Sequence, residues 1–177
     1  MSDLRYPIGE FKPPLNPDME NIKEWITIIS NLPAKLSRVV KKFSDAQLDT
    51  PYRDGGWTVR QVVHHLADSH VNSYIRFKWT LTEDHPTIKA YNEKLWAELD
   101  DARKAPVKIS LDILDAVHKR WVIVLTNLSE ADLQKSFHHP ESDKDVKLVN
   151  TIALYAWHCN HHLAHITSLC QRMNWIY

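Results

Sequence analysis

The chain has 177 residues, and its 22 Lys and Arg residues balance 22 Asp and Glu residues, so the formal net charge is zero. This length suits one domain with a sizeable core, and we take residues 1–177 as a single domain. A neutral chain argues against nonspecific binding to nucleic acid or to an anionic membrane surface. No stretch approaches the roughly 20 apolar residues that span a bilayer, and the N-terminus lacks the apolar segment of a secretory signal.

Two cysteines, Cys159 and Cys170, fall on one predicted helix. Their separation along the helix axis is roughly 16 Å, whereas a disulfide needs Cα atoms within about 7 Å of each other. They therefore cannot pair with each other, and we expect a cytoplasmic protein. We interpret Cys159 as a packing residue rather than a metal ligand, because it faces the predicted core.

The first half of the chain predicts a proline-rich arm and two long helices. Residues 1–17 contain four prolines and cannot be helical throughout, so we expect an extended arm over the bundle or over a partner subunit. Apolar residues then recur every three or four positions over 18–43, which predicts one helix that continues through Pro33. Thr58 and Gln61 form a capping-box pattern that begins a second helix, ending near Leu81.

The second half predicts two more helices and no strand. Residues 82–109 form a long, weakly helical connection, after which Ser110 is the predicted cap of a third helix. Residues 129–148 are polar and turn-rich, and a last helix spans 149–173. Four amphipathic helices indicate an all-α four-helix bundle. The long second connection can cross the bundle and leave helices two and three parallel.

The last helix carries a cluster of histidines along one face. At 100° per residue, His158, His161, His162 and His165 fall within a stripe about 100° wide, at the edge of the apolar face. His158 and His162 are an i, i+4 pair, and two imidazoles at that spacing can share one metal ion. The motif is not HExxH, because Cys and Asn occupy positions 159 and 160. The glutamate base of a zinc protease is therefore absent.

The second helix supplies a third imidazole, His65, just outside its apolar arc. A polar stripe surrounds it, and we expect this stripe to form the wall of a pocket; its members are Asp68, Ser69, Asn72 and Arg76. Arg76 can bind a carboxylate or phosphate. Within that pocket, the candidates for binding or supporting residues are Asp68, Asn72, Arg76 and His161.

Three histidines on two facing helices match a catalytic metal site with an open coordination position. Neutral imidazoles suit zinc, nickel, copper or iron, and such a metal lowers the pKa of bound water or deprotonates a bound thiol. The alternative is that these histidines are hydrogen-bonded core residues, although burying several imidazoles without partners is costly. We interpret His138 and His139 as surface residues of a loop.

Four stretches give the sequence a resemblance to the DinB/YfiT-like superfamily, and within it to the bacillithiol transferase A group. They cover nearly the whole chain: RYPIGEF at 5–11, GGWTVRQVVHHLADSH at 55–70, YIRFKWTLTED at 74–84 and YAWHCNHHLAHI at 155–166. The resemblance implies an up-down-down-up bundle, a divalent Zn²⁺ or Ni²⁺ ion and a homodimer. The residues that match the family's metal-binding motif are His65, His158 and His162. His165 departs from the superfamily, in which glutamine is common at this position.

The resemblance implies two activities that use the same metal. One is an S-transferase that joins bacillithiol, a low-molecular-weight thiol, to electrophilic small molecules through a metal-activated thiolate. The other is a metal-dependent hydrolase, which lacks an evident general base because no Asp or Glu lies within the metal motif. A third hypothesis is a metal-binding protein without enzymatic activity. We favour the transferase, and we expect Arg76 and Asn72 to position the carboxylates of the thiol.

Overall fold

The computed structural model describes residues 3–177 and is mostly helical. Four long helices form the bundle: α1 (Met19–Val40), α3 (Val59–Thr82), α6 (Val107–Thr126) and α8 (Leu148–Met173). Short helices lie in the connections, and they are α2 (Asp45–Leu48), α4 (Glu93–Trp96), α5 (Asp100–Lys104) and α7 (Glu130–Gln134). A hairpin of two strands, β1 (Ser136–His139) and β2 (Lys144–Lys147), precedes α8. The predicted four-helix bundle is confirmed.

The predicted starts of the first two long helices are also confirmed. Asp18 caps α1 and Thr58 caps α3, each in a capping box in which the side chain accepts a hydrogen bond from the backbone three residues later. Helix α1 continues through Pro33, which is buried in its apolar face. The largest fully buried side chain is that of Trp121, which packs edge-on against Phe77 with ring centroids 5.6 Å apart.

Hydrogen bonds between side chains show the relative directions of the helices. Two bonds join α3 to α6, from His64 to Ser110 and from His70 to His118, so the paired positions rise together along both helices. These two helices are therefore parallel, as the long connection over 83–106 allows. The pairs between α3 and α8 instead run in opposite senses: Ser69 with Tyr155, and His65 with His158. The bundle has the expected up-down-down-up topology.

The predicted start of the third helix is wrong. Helix α6 begins at Val107 with Pro106 at the capping position, four residues before the expected start after Ser110. Proline suits the start of a helix because its fixed φ is already helical and it lacks an N–H that would need a partner. The Ser110 hydroxyl lies inside the helix and bonds Nδ1 of His64 at 2.7 Å.

The expectation that residues 129–148 hold no strand is also wrong. Strands β1 and β2 pair antiparallel, and Phe137 at the middle of β1 is buried in the core. The His138 N–H donates to the Pro86 carbonyl and the His138 carbonyl accepts from the Ile88 N–H, which ties β1 to the connection between α3 and α6. The hairpin therefore fixes that connection against the bundle and places His139 beside it.

The arm lies on its own bundle, along α8. Between residue 3 and residue 17 it contains turns but no helix. The Trp157 indole donates a hydrogen bond to the Gly9 carbonyl at 3.2 Å, and the ring of Phe11 lies 5.9 Å from the same indole. In the part of the chain that is described, no helix combines the length and apolar character needed to cross a membrane.

Candidate metal centre

The structure brings together the three histidines that the sequence predicts as metal ligands. His65 from α3 meets His158 and His162 from α8, and one nitrogen of each ring lies within 4.8 Å of the other two. The Nε2 atoms of His65 and His158 are only 3.3 Å apart. The i, i+4 spacing places His158 and His162 one turn apart, with ring centroids 4.4 Å apart.

This spacing fits a divalent cation. Two nitrogens that each bind zinc at about 2.0–2.1 Å in tetrahedral geometry lie roughly 3.3 Å from each other, which matches the distance between the Nε2 atoms of His65 and His158. Zinc and nickel both accept neutral imidazole. The three rings leave a tetrahedral ion one position for a substrate or water.

The surroundings keep these imidazoles neutral, which is the form that binds metal. Burial, followed by the nearby His161 and His165, lowers the pKa of His65 to about 4. The same loss of solvent and the neighbouring imidazoles hold the pKa values of His158 and His162 well below the usual value of a histidine. All three side chains are therefore available as ligands at neutral pH.

A second group of histidines shares one member with the first. His161, His162 and His165 also offer nitrogens within 4.8 Å of one another. His165, however, already has partners at both nitrogens: the Arg5 carbonyl lies 3.1 Å from its Nε2, and Nδ1 of His162 lies 3.4 Å from its Nδ1. These contacts account for His165 without a metal, so the group of His65, His158 and His162 is the better candidate.

A cavity of about 720 Å³ opens onto the cluster. His161, His162 and His165 form its inner wall, and Trp57 lies against His65 with ring centroids 4.7 Å apart. Charged side chains of both signs line the remainder of this cavity, and they are Arg5, Arg53, Glu93, Lys94 and Glu98. It is large enough for a small organic substrate.

A smaller cavity, of about 190 Å³, also reaches the cluster, at His158. Arg76 and His139 line it, and the Nε atom of Arg76 and the Nδ1 atom of His139 are buried without a hydrogen-bond partner among residues 3–177. Glu93 lines both cavities. The smaller cavity therefore presents unpaired hydrogen-bonding groups beside a candidate metal ligand, and the interpretation of His139 as a surface loop residue is wrong.

The other predicted pocket residues have different positions. Arg76 lines the smaller cavity and His161 the larger one, whereas Asp68 and Asn72 line neither. The Asn72 amide donates instead to the Asp68 carbonyl of its own helix at 2.8 Å. Burial, and next the charge of Asp101, raises the pKa of the Asp68 carboxyl to about 6.

Two buried histidines that the sequence analysis did not assign lie directly behind the cluster. His70 Nε2 is 3.1 Å from His158 Nδ1, and His70 Nδ1 is 2.7 Å from His118 Nε2. Their signal in the sequence is that each falls within the apolar face of its helix, where a polar ring needs a partner. His118, for example, lies between Leu114 and Trp121, which are both fully buried.

Comparison with known proteins agrees with this fold and cluster. The family model described as the DinB superfamily matches residues 29–166. A protein of Bacillus mycoides (strain KBAB4) named "Putative metal-dependent hydrolase" is 58% identical over 175 residues, which cover 99% of this chain and all of the relative. A protein of the same name from Bacillus thuringiensis subsp. konkukian (strain 97-27) is 57% identical over 177 residues, with the same coverage.

A solved structure is similar over almost the full length. It is YfiT from Bacillus subtilis, described as a probable metal-dependent hydrolase with an unusual four-helix bundle topology. The two proteins are 51% identical, the match covers 98% of this chain and 99% of that one, and the TM-score is 0.95. Together with the family model and the curated relatives, this shows that the chain belongs to the DinB superfamily.

Proposed function

We propose that His65, His158 and His162 hold one divalent ion, Zn²⁺ or Ni²⁺, and that the protein is a metal-dependent thiol S-transferase. Its thiol substrate would be bacillithiol, and its second substrate an electrophilic small molecule. The observation that carries this proposal is that two separate cavities, of about 720 and 190 Å³, reach the same histidine cluster. A reaction between two substrates needs two such binding spaces beside one reactive centre.

The chemistry follows from the ligand set. A bound divalent cation lowers the pKa of a thiol next to it, which makes the thiolate available at neutral pH. In the transfer, the thiol gives its proton to solvent, its sulfur forms a bond to the electrophilic carbon, and the leaving group departs with the electrons of the broken bond. The chain contributes by holding both reactants and by excluding water from the reacting atoms.

Arg76 supports placing the carboxylate end of the thiol in the smaller cavity, whose volume of about 190 Å³ suits part of such a molecule rather than the whole. Its guanidinium lines that cavity with His158, and its Nε is buried without a partner among the described residues. A guanidinium suits a carboxylate because it donates two parallel hydrogen bonds. Bacillithiol carries carboxylates, so Arg76 can fix one end of the thiol while the sulfur reaches the cluster. Asn72, expected in the same role, does not line this cavity.

Hydrolysis is the second candidate, and the names of the relatives favour it. A metal of this kind also lowers the pKa of bound water, which makes water a nucleophile at neutral pH. The carboxylates that line the larger cavity, Glu93 and Glu98, are the candidates for the general base of that reaction. Asp68, the acidic residue of α3 that is nearest to His65 in helical phase, lines neither cavity.

One assay separates the two activities. Zinc-loaded protein is incubated with a halogenated electrophile, with and without bacillithiol, and the products are identified by mass spectrometry. A transferase yields a thiol conjugate whose rate of formation saturates with bacillithiol. Product formed from water alone at a rate that bacillithiol does not change would contradict the transferase and favour the hydrolase. A matched incubation with His162→Ala protein measures the background conjugation.

We also propose that the chain acts as a single-domain homodimer in the cytoplasm. Both cysteines are free thiols, which suits a reducing compartment. Helix α6 exposes Ile109, Ile113 and Ile123, and apolar side chains at a surface suit contact with a second copy. Light scattering on purified protein tests the dimer: a mass of twice 20.7 kDa is expected, and the monomer mass would contradict it.

A further inference from the structure

A chain of imidazoles runs from the candidate metal centre to the opposite side of the bundle. His158 Nδ1 lies 3.1 Å from His70 Nε2, and His70 Nδ1 lies 2.7 Å from His118 Nε2. His118 Nδ1 then lies 2.7 Å from the backbone carbonyl of Ile29 in α1. His70 and His118 are both buried.

The carbonyl at the end of this chain determines where every proton lies. A carbonyl oxygen only accepts hydrogen bonds, so Nδ1 of His118 must carry a proton and, in a neutral ring, its Nε2 must be an acceptor. His70 therefore donates from Nδ1 and accepts at Nε2. It follows that His158 donates from Nδ1, which leaves the lone pair of His158 on Nε2, the atom 3.3 Å from Nε2 of His65.

A second, shorter chain applies the same constraint to His162. The Arg5 carbonyl, in the N-terminal arm, lies 3.1 Å from His165 Nε2, so that nitrogen carries the proton and Nδ1 is the acceptor. His165 Nδ1 lies 3.4 Å from His162 Nδ1, which must then be the donor. The lone pair of His162 is therefore also on Nε2.

We propose that His70, His118 and His165 are positioning residues that hold His158 and His162 in the tautomer needed to bind metal through Nε2. The inference rests on the proposed metal site and deepens it. Each chain begins at a ligand ring and ends at a backbone carbonyl, which cannot give up a proton. Reversing His158 would therefore break the buried hydrogen bond at the Ile29 carbonyl, where an unpaired polar group is costly, and reversing His162 would break the part-buried bond at the Arg5 carbonyl.

The tautomers can be read directly in the metal-free protein. Long-range ¹⁵N–¹H correlation spectra of ¹⁵N-histidine-labelled wild-type protein at pH 7.5 distinguish protonation at Nδ1 from protonation at Nε2. We expect the proton on Nδ1 in His158, His162, His70 and His118, and on Nε2 in His165. A His158 ring protonated on Nε2 would overturn the proposal, and this measurement requires neither a variant nor a metal.

The effect on the metal is measured by zinc affinity, through competition with a chromophoric chelator. His70→Phe keeps a ring but offers no acceptor to His158, so we expect affinity to fall about 10- to 100-fold. His70→Gln still offers an oxygen acceptor and should recover part of that loss. His64→Phe is the matched control, because His64 is also a buried imidazole of α3 but bonds Ser110 and Ala105 instead. The zinc affinity of this variant should be unchanged.

The outcomes distinguish this inference from the proposed function. Unchanged zinc affinity in folded His70→Phe protein would refute the positioning role and leave the metal site intact. Normal zinc binding with the expected tautomers, but no conjugation of bacillithiol, would instead refute the transferase and leave the positioning role intact. If His70→Phe does not fold, the wild-type tautomers and the affinity of His70→Gln against His64→Phe decide the question.

Discussion

The histidines of this chain divide by what their nitrogens contact. His65, His158 and His162 direct nitrogens towards one another, whereas His70, His118 and His165 connect two of those rings to backbone carbonyls. Helical phase together with the family resemblance predicted the first group, because its members follow from spacing within α3 and α8 and from a recognisable motif. The second group depends on which buried faces meet across α3, α6 and the arm, and spacing within one helix carries no information about that.

Arg76 is the residue whose role in thiol binding is most directly testable. Loss of a hydrogen bond to a charged group costs about 1.5–3 kcal/mol, so Arg76→Ala should raise the KM for bacillithiol roughly 10- to 100-fold. The KM for the electrophile should change little. Steady-state kinetics with each substrate varied in turn measures both values. Lys78→Ala, an exposed cation of the same helix, is the control, and an unchanged KM for the thiol would contradict the role.

The individual elements show which local signals were informative. The start of α1 was predicted from its apolar periodicity, whereas the capping-box pattern predicted the start of α3 because those bonds form within four residues. The same logic failed at Ser110, whose hydroxyl bonds His64 on a neighbouring helix. The β-hairpin was missed because its strands are four residues long and polar, and are stabilised by Phe137 in the core and by backbone bonds to distant residues.

The N-terminal arm is an element with a measurable contribution to the metal centre. Its Arg5 carbonyl accepts the hydrogen bond that fixes His165 and, through it, His162. Deleting residues 1–11 should therefore lower zinc affinity about 10-fold or more while the bundle stays folded. Chelator competition and far-UV circular dichroism measure the two effects. Deleting Ile176 and Tyr177, which lie at the other terminus, is the control; equal affinities for the two truncated proteins would contradict the arm's role.

In the molecule as a whole, the candidate site depends on all four long helices. The chain from His158 passes through His70 and His118 to the Ile29 carbonyl, so it takes one residue each from α8, α3, α6 and α1. The parallel arrangement of α3 and α6 brings His70 and His118 to the same level. The sequence predicted this topology through the long connection and the family resemblance, whereas the register that aligns the histidines follows from packing.

Burying so many neutral imidazoles makes the metal-free protein sensitive to acid. Burial lowers the pKa values of His65 and His118 to about 4, while an unfolded histidine titrates near 6.5. As pH falls from 6.5 towards 4, the unfolded state takes up protons that the folded state does not. The contribution of these rings to the free energy of unfolding is therefore largest above pH 6.5 and decreases as pH falls through this range. Each such group contributes up to about 1.4 kcal/mol per pH unit.

Urea unfolding of the metal-free protein at pH 7.5, 6.5, 5.5 and 5.0 measures this dependence. We expect a small loss of unfolding free energy between pH 7.5 and 6.5, where each unfolded histidine is half protonated, and a loss of several kcal/mol by pH 5.0. A free energy that stays constant down to pH 5.0 would show that these rings are not held neutral.

The most direct measurement is a crystal structure of the protein soaked with zinc, with anomalous data collected on both sides of the zinc edge. The account predicts one zinc peak within about 2.0–2.1 Å of a nitrogen from each of His65, His158 and His162. The nitrogen should be Nε2 in all three, and one coordination position should remain open to solvent. A peak coordinated by His161, His162 and His165, or no peak at either group, would contradict it.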